Sequence, residues 1–318
     1  GRLVRDNVYG SIEDDAVRRD FTANALYYAI EDFSVRDYVG GFEDVMARRL
    51  RLIGDPTTRY QEDPVRMLRA VRLAAKLGFE VDADTAAPIP GLAHLLADAA
   101  PARLFDECLK LFLSGNAEAS FLGLERHGLL PAMFPEASAA LAAAGGGARE
   151  MLLQAMRNTD QRVAEDRPVT PAFLFAALLW PAYEREREGL MEKGGDPLVA
   201  QQRAADRVAL HQAQRIALPR RFSTPMEEIW MLQPRFALRQ RKRVFRLLSH
   251  PRFRAAFDFL ELRQIAEPGL AEDVAFWREA QSLHPEQLSE RLGPPRRGPR
   301  KAAPAPDEVA AEEAAAAP

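Results

Sequence analysis

The sequence predicts a mainly α-helical protein that opens with a small mixed α/β segment. From Asp63 onward, apolar residues recur at helical spacing, as in Met67, Leu68, Val71, Ala74 and Ala75. Glycines at 78, 91, 115 and 128 punctuate these blocks as helix stops. Strand signals are confined to residues 1–53. Phe33 to Val39 partly alternates before Gly40-Gly41, and Leu50, Leu52 and Ile53 precede Gly54-Asp55-Pro56. These two short strands are expected to pair as the end of a small mixed sheet, a marginal structure alone.

Composition narrows the class. In 318 residues, 47% are hydrophobic and 28% charged, which excludes a disordered chain. A net charge of -3 selects no partner by itself. Cys108 is the lone cysteine, so no internal disulfide can form; this suits a reducing, cytoplasmic setting. The longest apolar stretch, Pro171 to Tyr183, is shorter than the roughly twenty residues of a membrane span, so a buried helix is expected there.

Composition also suggests an organisation. Residues 1–55 form the mixed segment and 56–138 a first helical unit. The Ala/Gly run from Ala139 to Gly147 is expected to be a linker. Residues 149–282 form a second helical unit, broken at Pro219, Pro225 and Pro251. Residues 283–318 read as a disordered tail, basic and then acidic.

Two constellations carry chemistry. In the first, Arg18 and Arg19 precede Asp20, a good helix N-cap, with Asn24 one turn on. Arginines at a helix N-terminus gather positive potential for a phosphate, while Asp20 and Asn24 could bond a ribose. An ordinary capped surface helix has the same residues. In the second, Asp63 caps a helix that Pro64 begins. Arg66, Arg69 and Arg72 then share an arc on which like charges repel unless an anion lies near. A carboxylate and a guanidinium fork could together read a base edge; a solvated face is the alternative.

The string Arg18-Arg19-Asp20-Phe21-Thr22-Ala23-Asn24-Ala25 resembles a signature of the class II nucleotidyltransferases, the family of bacterial poly(A) polymerases and CCA-adding enzymes. Glu62-Asp63-Pro64-Val65-Arg66-Met67-Leu68-Arg69 resembles that family's Glu-Asp-x-x-Arg-x-x-Arg element. Asp37-Tyr38-Val39-Gly40-Gly41 resembles a third signature, in the form of the poly(A) branch. The resemblance implies that residues 1–55 are the C-terminal remnant of a nucleotidyltransferase head, followed by a helical neck and body. It implies Asp20 as an active-site residue. Arg18, Arg19, Asn24, Asp63, Arg66, Arg69 and Arg72 become nucleotide-binding candidates, Asp63 and Arg66 toward the base. It also implies AMP transfer from ATP to RNA 3′ ends with Mg²⁺, and tailing that promotes decay alongside RNA-decay proteins. The family's metal-binding Asp-x-Asp pair follows a Gly-Ser turn. Asp82-Ala83-Asp84 has the spacing without that turn, so the pair is expected upstream of Gly1 and this chain is expected to be inactive alone.

Basic residues crowd the second helical unit. Arg220, Arg221, Arg239, Arg241, Lys242 and Arg243 are candidate RNA contacts, with Arg215, Arg235 and Arg246 nearby and Phe222, Trp230, Phe236 and Phe245 interleaved. A helix pair with core aromatics and solvated arginines reads the same way. Two other functions stay open: a CCA-adding tRNA nucleotidyltransferase and a non-catalytic RNA-binding module.

Overall fold

A computed structural model describes residues 10–293. Helix α1 (Ile12–Arg18) starts at a capping box in which Ser11 and Asp14 bond each other's backbone N–H groups. A short 3₁₀ turn (Thr22–Asn24) follows. Strands β1 (Leu26–Ala29) and β2 (Ser34–Asp37) then form an antiparallel hairpin. Next come α2 (Gly41–Met46), β3 (Arg49–Leu50), α3 (Pro56–Glu62), α4 (Val65–Leu77) and β4 (Glu80–Val81). The two strand signals do not pair with each other, contrary to expectation. β2 pairs with β1, whereas β3 pairs in parallel with β4. The partner strand, which contains Tyr27 and Tyr28, falls where the Asp20 string predicts a helix.

The Asp37 signature is a local machine. The Asp37 carboxylate accepts from the N–H groups of Val39 (3.1 Å), Gly41 (3.0 Å) and Phe42 (2.9 Å), capping α2. Gly40 is left-handed at φ +77°, a conformation that favours glycine. A Cβ on Gly41 would stand 2.2 Å from the Thr22 carbonyl, so only glycine lets α2 lie against that segment. Helix α2 then delivers Asp44, fully buried, to the Thr22 hydroxyl (2.7 Å), Arg49 Nε (2.8 Å) and Arg51 Nε (2.8 Å). Burial alone would raise the Asp44 pKa, but these three donors outweigh it and hold the carboxyl below its ordinary value.

The neck continues through α5 (Ala83–Ala86), α6 (Ile89–Leu92), α7 (Pro101–Phe112), α8 (Ala117–Arg126), α9 (Leu130–Met133) and α10 (Pro135–Ala143). The body comprises α11 (Gly146–Ala164), α12 (Pro171–Glu192), α13 (Pro197–Ile216), α14 (Arg220–Leu232), α15 (Arg241–Leu248), α16 (Phe253–Ala266), α17 (Ala271–Ala280) and α18 (Pro285–Arg291). One large core runs from Phe21 and Leu50 through α4, α7 and α12 to Phe259. A second gathers Leu232, Phe236, Val244, Leu247, Phe257, Trp277 and Leu288. Cys108 is buried in the first core, and burial raises its thiol pKa. The apolar stretch at Pro171–Tyr183 is the buried half of α12, and among the described residues no helix is long and apolar enough to cross a membrane.

Several expected boundaries move. Gly78 does end a helix in the left-handed region, but Gly91 lies inside α6. The run from Ala139 is no linker through to Gly147. α10 extends to Ala143 and α11 begins at Gly146, because alanine is the best helix former and Ala140 is buried. Pro225 does not break α14; Met226, Ile229 and Trp230 bury around it and offset one lost backbone bond. Part of the expected disordered tail is ordered, since α18 buries Leu288 against the second core. The rest, from residue 294, lies outside the described residues.

Gly41→Ala is expected to destabilise the protein by ~1–3 kcal/mol, the usual cost of overpacking, measured by urea unfolding. Asp44→Asn is expected to cost ~1.5–3 kcal/mol at neutral pH, the worth of hydrogen bonds to a charged group. A lowered folded pKa contributes stability above the unfolded value and loses it as pH falls through the folded one. The gap between wild type and Asp44→Asn should therefore close on acidification below about pH 4. A gap constant with pH would refute the assignment.

Candidate nucleotide site and basic surfaces

Asp20 is not a helix cap. It follows α1, whose last turn carries Arg18 and whose C-cap is Arg19, so both arginines sit at a helix C-terminus rather than an N-terminus. The chain then runs extended. Phe21 bridges Leu52, Ile53 N–H donates to the Asp20 carbonyl (2.9 Å), and Thr22 N–H donates to the Arg51 carbonyl (3.0 Å). These long-range backbone bonds overrode the local helix preference of the segment.

The pinned Asp20 meets the second constellation directly. Arg66 Nε donates to Asp20 Oδ1 at 2.9 Å. Arg69 Nη1 lies 2.6 Å from Oδ2 as an ion pair, off the line of a hydrogen bond. Arg59, on α3, places Nη2 3.9 Å from Oδ1 and donates to the carbonyls of Arg18 (3.3 Å) and Arg19 (3.0 Å). Glu62 Oε2 accepts from Arg59 and Arg66, each at 3.2 Å. Three guanidiniums thus face two carboxylates, an excess of one positive charge. The Asp20 side chain is only 10% exposed, whereas Arg69 is 36% exposed and is the open edge of the cluster. Such an edge can take an anion whose charge the cluster does not already balance.

Helix α7 holds α4 from the other side. Arg103 donates to Asp63 (2.8 Å), and Glu107, 6% exposed, accepts from Arg72 (3.0 Å) and Lys110 (2.9 Å). The bond to Asp63 raises the Arg103 pKa. Asp63 does not cap its helix in the expected way. It ends α3, Pro64 takes the N-cap position of α4, and Asp63 Oδ1 accepts from Val65 N–H at 3.3 Å. The structure thus joins Asp20, Arg66 and Arg69. It ties Asp63 to Arg103 and turns Arg72 away to Glu107. Arg19 pairs with Asp15 (2.8 Å) beside Tyr27, while Arg18 and Asn24 are exposed. Sequence reasoning missed Arg59, Arg103 and Glu107 as partners, while Glu62 beside the α4 arginines is legible as a partial counter-charge. A signal was present: Arg103 and Glu107 lie four apart, one turn of α7, and complement the charges of α4.

Among the described residues no three His, Cys, Asp or Glu side chains cluster to hold a metal. Asp20, ringed by guanidiniums, is chemically unsuited to a divalent cation, so no step through a metal is derived from these residues.

In the body the aromatics are structural. Trp230 and Phe236 are buried, and Phe222 and Phe245 pack against the two cores. The arginines separate by partner. Arg239 pairs with Asp273 (2.7 Å), Arg241 donates to the Gly293 carbonyl (3.2 Å), and Arg215 Nε donates to the Ala132 carbonyl (2.5 Å) as a brace to the neck. Arg220, Arg221, Lys242 and Arg243 are exposed and make no ion pair among the described residues; Arg221 stands over the Phe222 ring.

Comparison with known proteins places this arrangement, a short mixed segment docked on a helical neck through a shared carboxylate–guanidinium cluster, among the nucleotidyltransferases. Three family models match: the poly A polymerase head domain over residues 2–51, the "Probable RNA and SrmB- binding site of polymerase A" over 78–141, and the polymerase A arginine-rich C-terminus over 193–306. Poly(A) polymerase I of Salmonella typhimurium is 46% identical over 317 residues, spanning 96% of this chain and 68% of that protein. The Haemophilus influenzae enzyme is 41% identical over 93% of this chain and 70% of its own length. The chain belongs to the poly(A) polymerase family. A CCA-adding enzyme of Bacillus pumilus matches at 42% over 101 residues, 32% of this chain and 25% of that protein. The fold is shared with a tRNA nucleotidyltransferase complexed with a primer tRNA and an incoming ATP analog, at TM-score 0.58 and 19% identity over 87% of this chain and 75% of the other. The Thermotoga maritima CCA-adding enzyme complexed with tRNA shares it at TM-score 0.57 and 18% identity, over 86% and 62%.

If Asp20 and Arg66 act as one unit, a double-mutant cycle of Asp20→Ala and Arg66→Ala in urea unfolding should show a coupling of ~0.5–3 kcal/mol. Strict additivity would remove the pairing from the account.

Proposed function

We propose that the protein is a polynucleotide adenylyltransferase that adds AMP from ATP to RNA 3′ ends. One observation carries the choice over a CCA-adding activity. The likeness to poly(A) polymerases runs the length of the chain at 41–46% identity, while the Bacillus pumilus CCA-adding enzyme matches over only a third of it. Head (1–55), neck (56–138) and body (149–282) are the proposed working parts.

Asp20 acts first as a counter-charge. It holds Arg66 and Arg69 side by side at a spacing that repulsion would otherwise open. Arg69, the more exposed, is the proposed phosphate contact, with Arg18 and Arg19 at the same margin. Arg66 and Asp63 stand at the junction of α3 and α4, where a fork and a carboxylate can address a base edge. Asn24 is the proposed ribose contact, and Arg72 supports through Glu107. Mg²⁺, when bound, would supply charge neutralisation at the transferred phosphate, from ligands other than those described. The RNA chain is proposed to lie along neck and body, the neck matching a family model described as a probable RNA- and SrmB-binding site; RNA-decay proteins are proposed partners that follow from the tailing role. Tailing that promotes RNA decay in the cytoplasm is the proposed physiological role.

The full-length protein, given an RNA with a free 3′ hydroxyl, is expected to incorporate ATP and not CTP. Asp20→Ala should lower its turnover roughly tenfold or more, equivalent to ~1.4 kcal/mol or more of lost transition-state stabilisation. CTP incorporation into tRNA lacking its 3′ CCA would overturn the choice of substrate, and unchanged turnover in the variant would overturn the role of Asp20.

A further inference from the structure

At the foot of the second core, an open cavity of about 380 Å³ is lined by Arg235, Leu238, Arg243, Arg246 and Leu247. Arg235 belongs to the 3₁₀ turn Gln233–Ala237, and Arg243 and Arg246 lie three apart on α15. None of the three guanidiniums has a hydrogen-bonded or ionic partner among the described residues, and no carboxylate lines the cavity. What sets them apart from other unpaired body arginines such as Arg220 and Arg221 is that all three line one cavity. Arg187, Arg207, Arg239, Arg252, Arg254, Arg263 and Arg278 each pair with Asp or Glu.

Helix α15 adds to the imbalance. Its first turn carries Arg241, Lys242 and Arg243 and no acid, and Gln240 gives no side-chain cap. Cations at a helix N-terminus oppose the macrodipole and are tolerated when an anion sits there. Three like charges around one hollow, without counter-charge, repel one another, and a bound anion relieves that repulsion. The floor of the hollow is apolar, made by Leu238 and Leu247. That suits a sugar-phosphate backbone, whose ribose faces are partly apolar, better than a small free anion.

We propose that Arg235, Arg243 and Arg246 form a cradle for the phosphodiester backbone of single-stranded RNA. The proposal rests on the RNA-tailing function and deepens it, because it separates these gripping arginines from the paired ones, Arg239 and Arg241, beside them. Arg220 and Arg221 are not part of the cradle.

The test is oligo(A) binding to the full chain, followed by fluorescence anisotropy across a salt series. Each phosphate neutralised on a single strand contributes roughly 0.7 to the slope of log K against log salt. The triple variant Arg235→Ala/Arg243→Ala/Arg246→Ala should therefore lose about 2 from that slope and bind roughly tenfold or more weakly at low salt. Arg278→Ala, which removes a paired arginine, should leave the slope unchanged. Should the triple variant unfold, Arg243→Glu/Arg246→Glu is the substitute, and the same loss of slope is expected. Binding with an unaltered slope in these variants overturns the cradle while leaving RNA tailing standing. If the wild-type chain binds no oligo(A), the underlying function fails as well. Two further outcomes would also overturn it: ATP displacing oligo(A) at matched phosphate concentration, which assigns the hollow to free nucleotide, and labelled poly-glutamate binding as tightly as oligo(A) with the same variant dependence, which assigns it to an acidic protein segment.

Discussion

The Asp20 carboxylate, enclosed by arginines of α3 and α4, is the contact on which the arrangement depends. It spans 46 residues of sequence to Arg66 and joins the extended head segment to the first long neck helix. The apolar contribution from this part of the head is small: Ala16, Ala25 and Ile53 form only a minor cluster, while Phe21, Leu50 and Leu52 reach into the large core. Polar contacts therefore carry much of the burden of orientation. A carboxylate at one-tenth exposure is costly without partners, and two adjacent guanidiniums are costly without a carboxylate between them. Each side removes the other's penalty, so the cluster forms only when head and neck are in register.

That register needs a rigid head segment, and the glycine signature supplies it. Gly41 permits a backbone approach that no side chain could share, and the Asp37 cap fixes the direction of α2. Asp44 then bonds Thr22, two residues beyond Asp20, and Arg51, whose carbonyl receives the Thr22 N–H. Two signatures that look independent in the sequence are one hydrogen-bonded unit. Neither Asp37 nor Asp44 needs to touch substrate to matter, because both act through where they place Thr22 and hence Asp20.

The helical neck and body were largely legible, because a 3.6-residue apolar period survives any tertiary context that buries one face. The motif residues were legible too, as strings. Their local structure was not. Asp20 reads as a cap because Ser, Thr, Asp and Asn before helix formers usually are caps, but Phe21 pairs with Leu52 across thirty-one positions, and no local signal reports that. The Tyr27 strand was hidden for the same reason, since its partner lies beyond a turn. Pairing of arginines was only faintly legible, for a different reason. A guanidinium reaches acids far away in sequence, as Arg103 reaches Asp63 and Arg239 reaches Asp273, so a count of basic residues overstates the charge available to a ligand.

That last point bears on how a chain with a net charge of -3 can work on RNA. Most of its arginines are internally neutralised and serve as struts. Arg215 braces body to neck through a carbonyl, and Arg263, with its guanidinium over Trp180, pairs with Glu267. Among the described residues, part of the remaining positive charge gathers at two places: one excess charge at the Asp20 cluster, with Arg69 at its open edge, and three unpaired guanidiniums around one hollow in the body. Because interactions between exposed charges are screened beyond a Debye length of about 8–10 Å, a polyanion responds to such local excesses rather than to the net charge. Pairing the scaffold arginines with acids while leaving others free lets the same residue type build the fold and, in the proposed function, contact the substrate.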